Sequence, residues 1–559
     1  MSGIDERNNI RLQENLMNRT IQLFLLILIL ALASFLRFYK LESIPAGLHA
    51  DGASQGYNAF SLLNTGKDRY GEPFPILFRS FGSYQPPLYT YLTIIPVAFF
   101  GNSPFSAYFI SALSGVLLVL ITYLFVLVLF NENRRKFVLA LIAALTVATA
   151  PWSVLFSRLA VEANLGLLLF ALSIPLFAYS LRKIQILPIA SLVLGISTHA
   201  YYSERLIAII FLPIFVFLFR NILLRKKKWV ILAFLLFIIT QIPHLLILQS
   251  GAFTRRLDQV SSFNNQLNNQ SKILNIGKTI INNYLIYCSP KNLFFDSDIN
   301  LGRTMPGLSA FYNWLIIPFL IGIRYLLKAD KSLNFVKIIG LLLIITPISA
   351  SLTGDFFYPL RTLNFLWVLT LIISLGLFQI YLLLRSNITK LFILGIFLSY
   401  SFFSLYISYF ILFKYEKAEN YGYAYMKLMD KLPEYNNKQI IIDLSRDPGI
   451  GIRIAYLKSY PPKKMQDQLR PQLKTPYYNN VINTDEIYEI NNIEVKPWDF
   501  GDACRNNVII VGDQLTIYSE QMKRHELKLE FQIPDLSGKV ALFGYSTNPE
   551  GRCTLHPDL

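Results

Sequence analysis

The stretch Leu48–Leu62, LHADGASQGYNAFSL, decides how the chain is read. It places a carboxylate, Asp51, shortly after the first membrane-length apolar run, Ile21–Leu36. A carboxylate at a membrane edge is costly unless it is wet or paired, so an acid kept there marks a functional site by default. The residues beyond it are wet and aromatic: Gly71–Pro75 (GEPFP), then Ser80–Leu92 (SFGSYQPPLYTYL). A plain connector between two spans needs neither this length nor this content of Tyr, Gly and Pro. The reading is a site built at the membrane surface.

Composition agrees. Of 559 residues, 53% are hydrophobic and only 16% charged, where a soluble domain carries about 25% charge. The chain is read as a polytopic membrane protein. Its net charge of +17 follows from cytoplasmic Lys and Arg between spans and from attraction to anionic lipid. The basic residues do not gather into one patch, so no nucleic-acid partner is expected. The polar segment 1–20 carries Arg7, Arg11 and Arg19, and the run after it ends in Arg37-Phe-Tyr-Lys40 with no small-residue cleavage site, which reads as a retained anchor. The three cysteines are Cys288, Cys504 and Cys553; the last two either pair in an oxidising compartment or remain thiols.

Apolar runs near 20 residues give candidate spans at 21–39, 105–130, 137–157, 163–181, 185–203, 205–220, 229–249, 309–327, 335–352, 360–384 and 390–413. The short stretch 86–101, interrupted by Pro96, is settled by charge. Arg134-Arg-Lys136, Arg182-Lys183, Arg225–Lys228, Lys328 with Lys331, and Arg385 with Lys390 fall at alternate connections. Taking these and the N-terminus as cytoplasmic makes 86–101 a helix lying at the outer interface, begun by Pro86-Pro87. The expected fold is mainly α, a bundle of about eleven spans over 21–413. Its outward loops are 40–104 and 250–308, and a small extracytoplasmic α+β domain occupies 414–559. That domain is read from strands at Ile440–Leu444, Val508–Gly512, Leu527–Ile533 and Lys539–Gly544, and a helix at Tyr421–Leu432. The N-terminus is expected in the cytoplasm and the protein in the plasma membrane.

This phase turns Asp51, Glu162 (in SRLAVE, 157–162), the segment His199–Arg205 and the loop Ser250–Pro306 to one side. Asp51 and Glu162 are the candidate acid/base groups, since a carboxylate can take a proton from an acceptor that attacks a sugar carbon. Asp51 also suits a helix N-terminus. Arg79, Arg158, Arg205, Arg303 and Arg361 face outward and are candidates for a phosphate, with ion pairing or lipid contact as the alternative. His49, Tyr84, Gln85, Tyr89, His199, Tyr201, Tyr202 and Glu204 are candidate lining residues; the tyrosines equally suit an interfacial belt. His199 without a second ligand at metal spacing reads better as a hydrogen-bonded His. A divalent metal is left open, with no ligand set named.

These residues together resemble the membrane-embedded glycosyltransferases of the GT-C type, and within them the dolichyl-phosphate-mannose protein mannosyltransferases and lipid A aminoarabinose transferases of glycosyltransferase family 39. The resemblance is carried by Arg37-Phe-Tyr-Lys-Leu41, His49-Ala-Asp51, Gln85–Tyr89 (QPPLY), Phe105–Gly115 (FSAYFISALSG) and Ser157–Glu162. It implies a polyprenyl-phosphate-linked sugar as donor, with membrane lipid around it. The acceptor implied is a protein, lipid or glycan on the outer face. Asp51 matches the proposed general base of an inverting transfer, and Glu162 the second acid. The chain departs from the pattern where Gly52 follows the acid, where Gln85 precedes the two prolines, and where Pro86 takes the place of a lysine. A transporter or flippase, or an inactive scaffold presenting its outer domain, are the rival readings.

Overall fold

The computed structural model describes residues 2–131, 133, 135–261, 272–296, 301–354, 356–479 and 486–552; Arg134 and Cys553, invoked above, lie outside them. Helices dominate as far as residue 416. The first nine are α1 (Ser2–Phe38), α2 (Ala50–Thr65), α3 (Pro87–Phe100), α4 (Pro104–Leu129), α5 (Lys136–Thr149), α6 (Pro151–Ser157), α7 (Glu162–Ser180), α8 (Leu187–Ser197) and α9 (Tyr202–Leu218). Among the described residues, seven helices are long and apolar enough to cross a membrane, or eight if the bent pair α5–α6 is one span. The chain is a multi-pass membrane protein. The eleven expected crossings are not all of that kind: 185–203, 205–220 and 309–327 correspond to helices no longer than 17 residues, α8, α9 and Ile316–Lys328. The stretch 86–101 forms the 14-residue α3 from Pro87, about 21 Å long at 1.5 Å per residue and too short for a hydrocarbon core of about 30 Å.

Two buried arginines explain how the bundle tolerates its breaks. The pair α5–α6 bends by 57°, because Pro151 cannot donate to the helix ladder and frees carbonyls behind it. Arg37, fully buried at the end of α1, donates to the carbonyls of Val147 (3.3 Å) and Ala148 (3.1 Å) and to Ser153 Oγ (2.7 Å). Arg158 in turn donates to the carbonyls of Leu36 (3.0 Å), Tyr39 (2.8 Å) and Ile44 (3.0 Å), which closes the end of α1. Away from water such carbonyls have no other partner. Deeper in the bundle, Trp367 on the helix Leu363–Leu383 donates to Thr122 Oγ1 (2.9 Å) and Trp152 to Thr370 Oγ1 (3.2 Å). The helices Ile316–Lys328 and Leu363–Leu383 touch backbone to backbone: a Cβ on Gly376 would stand 1.7 Å from the Pro318 carbonyl oxygen, a small-residue contact of the kind that membrane helices use.

The hairpin β1 (Phe78–Ser80) and β2 (Ser83–Gln85) folds the first loop back over α2. The tail forms a six-stranded sheet in the order β4-β5-β3-β6-β8-β7, from β3 (Gln439–Asp443), β4 (Tyr488–Ile490), β5 (Ile493–Lys496), β6 (Val508–Gly512), β7 (Lys528–Pro534) and β8 (Val540–Ser546). β3 runs parallel to β5 and β6, and the other pairs are antiparallel. The four expected strands and the helix near Tyr421–Leu432 (Tyr423–Lys431) are present. The helices Ile450–Leu457 and Pro462–Leu469 are additional. Cys504 is disulfide-bonded and Cys288 is free.

The tail after 414 packs directly on the first loop. The sheet domain shares one hydrophobic core with the first loop and its neighbours, joining Leu48, Tyr57, Tyr89 and Tyr108 to Ile450, Tyr456 and Ile490. Arg453 donates to the Leu48 carbonyl (2.7 Å) and pairs with Asp447 (3.0 Å), Tyr57 OH donates to the Tyr460 carbonyl (2.8 Å), and Gln466 donates to Ser61, Thr65 and Asp68. The tail therefore clamps α2, the helix that carries Asp51. Sequence patterning marks the surface of each part but not that two apolar faces so far apart in the chain are meant for one another.

Candidate functional site

The local structure of α2 sets the site. His49, not Asp51, is the N-cap: its extended backbone precedes the helix, and its Nδ1 accepts from the Asp51 amide at 3.2 Å. Asp51 lies in the first turn, where the helix dipole favours a negative charge. Gln55, one turn on and on the same face, donates to Glu162 Oε2 at 3.0 Å. Glu162 opens α7. The two acids thus stand at two helix N-termini bridged by Gln55, and Glu162 lies within the electrostatic field of Asp51.

Asp51 is about one-third exposed, with its side chain at 36%. Arg303 Nη2 approaches its Oδ2 at 3.2 Å and Gln85 Nε2 its Oδ1 at 3.4 Å. Desolvation pushes the carboxyl up, but His49, Arg303 and Arg256 outweigh it, and Asp51 ends below the ordinary carboxylate value. Desolvation also pushes the His49 imidazole down, against the pull of Asp51. A neutral ring fits the acceptor role of its Nδ1.

Arg303 sits in the short turn Leu301–Arg303. Its guanidinium donates to the Tyr358 hydroxyl, which also has Arg361 over its ring face at 5.5 Å. The turn is held from the tail side, where Tyr421 OH donates to the Gly302 carbonyl at 2.8 Å. A third cation was not picked out from the sequence. Arg256, exposed on the helix Arg255–Val260, acts electrostatically on Asp51, Glu162, Tyr201 and Tyr202. Its helix is tied to the β1–β2 turn by Arg255 Nε (3.2 Å) and Gln259 Nε2 (2.9 Å), both donating to the Gly82 carbonyl. In sequence Arg255 and Arg256 are alike; only the helix phase tells the anchored one from the one turned over the acids. Beneath Arg303 lies a small cavity of about 20 Å³, lined mostly by apolar residues, among them Trp152, Leu155, Phe156, Met305 and Phe357, with Thr304 and Ser309.

The remaining candidates divide. Tyr201 lies within the field of Arg361 and Glu162, at the site. Gln85 contacts Asp51 and accepts from Ser54 Oγ at 3.4 Å. The Arg79 guanidinium is buried against Thr475, donating to the carbonyl (3.3 Å) and the hydroxyl (3.0 Å), and so faces the tail. Arg158 is enclosed by the three carbonyls at the end of α1 and the rings of Tyr409 and Phe410. Tyr84 is spent on the Tyr477 and Asn479 carbonyls (2.7 and 2.6 Å) and Tyr89 on Ala107 (2.8 Å). Tyr202 donates to the Tyr84 carbonyl at 2.9 Å, with Arg205 over its ring at 4.5 Å. His199 bonds to the Thr240 carbonyl (2.6 Å) and stacks on His244. Glu204 is buried in helix packing and accepts from Asn364 Nδ2 at 3.0 Å. Among the described residues no three His, Cys, Asp or Glu side chains gather as metal ligands.

Residues 84–247 match the family described as dolichyl-phosphate-mannose-protein mannosyltransferase. The whole chain overlays ArnT from Cupriavidus metallidurans, in the apo state, with a TM-score of 0.56 at 11% identity, covering 93% of this chain and 97% of that one. The fold is that of ArnT. The ArnT structure bound to undecaprenyl phosphate overlays with the same score, identity and coverage. The archaeal oligosaccharyltransferase AglB from Archaeoglobus fulgidus, solved with an inhibitory peptide and a dolichol-phosphate, aligns at a TM-score of 0.49 and 15% identity, over 95% of this chain and 74% of that one. No curated protein matches the chain by sequence. At such identities the likeness speaks to the fold alone, and the chemistry is argued from the site.

Proposed function

We propose that this GT-C protein transfers a sugar from a polyprenyl-phosphate donor to an acceptor at the outer face of the membrane, inverting the sugar carbon, with Asp51 as general base. The observation that carries this reading is one partly exposed carboxylate, Asp51, paired with Arg303 and within the field of Arg256, with Arg361 sharing Tyr358 with Arg303 and a small, mostly apolar cavity beneath Arg303. A phosphate needs the cations, a prenyl chain needs the apolar wall, and an acceptor hydroxyl or amine needs the base.

In this reading the events follow in order. Arg303 pairs with Asp51 and holds its carboxyl below the ordinary carboxylate value. A donor phosphate offers Arg303 two or three charge-assisted bonds, and an arginine drawn to it leaves Asp51 a stronger base. The acceptor then attacks the sugar carbon from the face opposite the phosphate. Its proton passes to Asp51, the carbon–oxygen bond to phosphate breaks, and the polyprenyl phosphate departs with its charge on the arginines. Held geometry contributes much of the rate in such a displacement. Glu162, held by Gln55, stands as the second acid. No step here is routed through a metal.

The orientation with the N-terminus cytoplasmic and the site outward, in a plasma membrane, belongs to this proposal and rests on the charge phase of the connections. A transporter would place its charges near the bilayer midplane at broken helices; here they sit at helix N-termini beside a soluble-type sheet domain. The test is full-length protein in proteoliposomes, given polyprenyl phosphates carrying different labelled sugars and scored for release of polyprenyl phosphate. Donor-dependent release is expected. Saturable donor uptake across the bilayer without cleavage would favour the transporter instead.

A further inference from the structure

The helix Lys272–Tyr287 belongs to the long loop before Arg303 and has three unlike faces. At 3.6 residues per turn, Leu274, Ile281 and Leu285 fall within about 40° of one another, and they are 70%, 63% and 61% exposed. Asn275 and Asn282 are exposed on an adjoining face, with Lys278 at the border. Asn283 and Tyr287 point the other way and are buried. Three bare aliphatic side chains in line are unfavourable in water, at roughly 1.5–3 kcal/mol for each one that could be covered.

What covers them is given by the neighbour. Tyr284 OH donates to the carbonyl of Ile344 at 3.0 Å, inside the candidate span Asn334–Ser351, and Ile344 is itself 62% exposed. Asn283 Nδ2 donates to the carbonyls of Ser351 (3.2 Å) and Thr353 (2.8 Å) where that span ends. The apolar stripe therefore continues the bare face of a membrane span. We propose that Lys272–Tyr287 is an in-plane membrane helix that seats Leu274, Ile281 and Leu285 in the acyl layer on the side of the Asp51 site, with Asn275 and Asn282 in the headgroup water. This matches the three-sided character of interfacial helices. Its last residue reaches the site: Tyr287 OH accepts from the Tyr358 amide at 3.3 Å, and Tyr358 holds Arg303. The depth of this helix in the lipid thereby sets the footing of the Arg303 turn. The inference rests on the membrane reading of the spans and not on the transfer reaction.

The test uses the full chain with Cys288→Ser, reconstituted in nanodiscs of neutral and anionic phospholipid. Single nitroxide labels at Ile281→Cys, Leu285→Cys and Asn282→Cys are read by power saturation with oxygen and with a water-soluble nickel chelate. Labels at 281 and 285 are expected to collide mainly with oxygen, and the label at 282 with nickel. Leu274→Cys replaces any variant that fails to elute as folded protein. Nickel-dominated relaxation at 281, 285 and 274 alike would overturn the proposal, whatever the transfer assay shows.

Discussion

Arg303 Nη2 lies 3.2 Å from Asp51 Oδ2, an ion pair between residues 252 apart in the chain. It closes the first loop onto the second and holds the candidate base and a candidate phosphate ligand in one contact. The pair is partly wet, so its meaning is chemical more than structural: exposed or half-exposed pairs contribute about 0–1 kcal/mol to stability.

Arg303→Gln should therefore leave folding nearly intact and change the titration. Asp51 sits below the ordinary carboxylate value through desolvation opposed by His49, Arg303 and Arg256. Removing a cation favours the protonated form and raises that pKa. The acid limb of kcat/KM, which reports the free enzyme, should move to higher pH. Donor KM should rise roughly ten- to hundredfold, as for a lost charge-assisted bond. A pH–rate profile of the variant checks both; an unmoved acid limb would separate Arg303 from Asp51.

Arg79→Gln should do the opposite. Its guanidinium faces Thr475 and not the acids, so donor KM should stay within about twofold of the parent, while thermal stability falls by about 1–3 kcal/mol through the lost bonds. Steady-state kinetics beside a melting curve in detergent separates the two effects. A KM effect like that of Arg303→Gln would return Arg79 to the phosphate site.

The arginines also show what patterning could and could not reveal. The long apolar helices and the tail strands are legible, because apolar period acts locally. Which arginine serves the site is not, since Arg37, Arg79, Arg158 and Arg303 lie at helix ends, in a turn or in a short loop strand and differ mainly in what tertiary packing sets before them. Arg37 and Arg158 answer carbonyls exposed by a proline break and a helix end. Arg256 shares its sequence surroundings with the anchored Arg255. The seat of the tail on α2 was hidden for the same reason.

Gly56→Val should unseat the tail. A Cβ at Gly56 would stand 2.6 Å from the Tyr456 ring, which is fully buried and has no room to turn aside. Overpacking of this kind costs about 1–3 kcal/mol or more. Limited proteolysis should then cut between the last span and the sheet domain faster than in the parent, with transfer lost as α2 loosens. An unchanged cleavage rate would contradict the clamp.

Asp68 gives a pH dependence of stability. It is fully buried, and burial raises its carboxyl to about 6 against hydrogen bonds from Tyr477, Glu72 and Tyr70. A raised acid binds its proton more tightly in the folded state, so stability is greatest below the unfolded value near 4 and falls as pH rises toward 6. The loss over that window is on the order of 3 kcal/mol. Asp68→Asn should flatten the slope of unfolding free energy between about pH 4 and 6. Denaturant melts at several pH values would show the same slope in both proteins if Asp68 were not responsible.

The base role of Asp51 is tested most directly by Asp51→Asn, which keeps size and removes the proton acceptor. Parent and variant are brought to equal amounts in membranes and given a labelled polyprenyl-phosphate sugar that the parent uses. Transfer should fall by at least roughly a hundredfold, the usual worth of a positioned base, while donor binding persists because the arginines remain. Transfer at the parent rate with matched protein would contradict it.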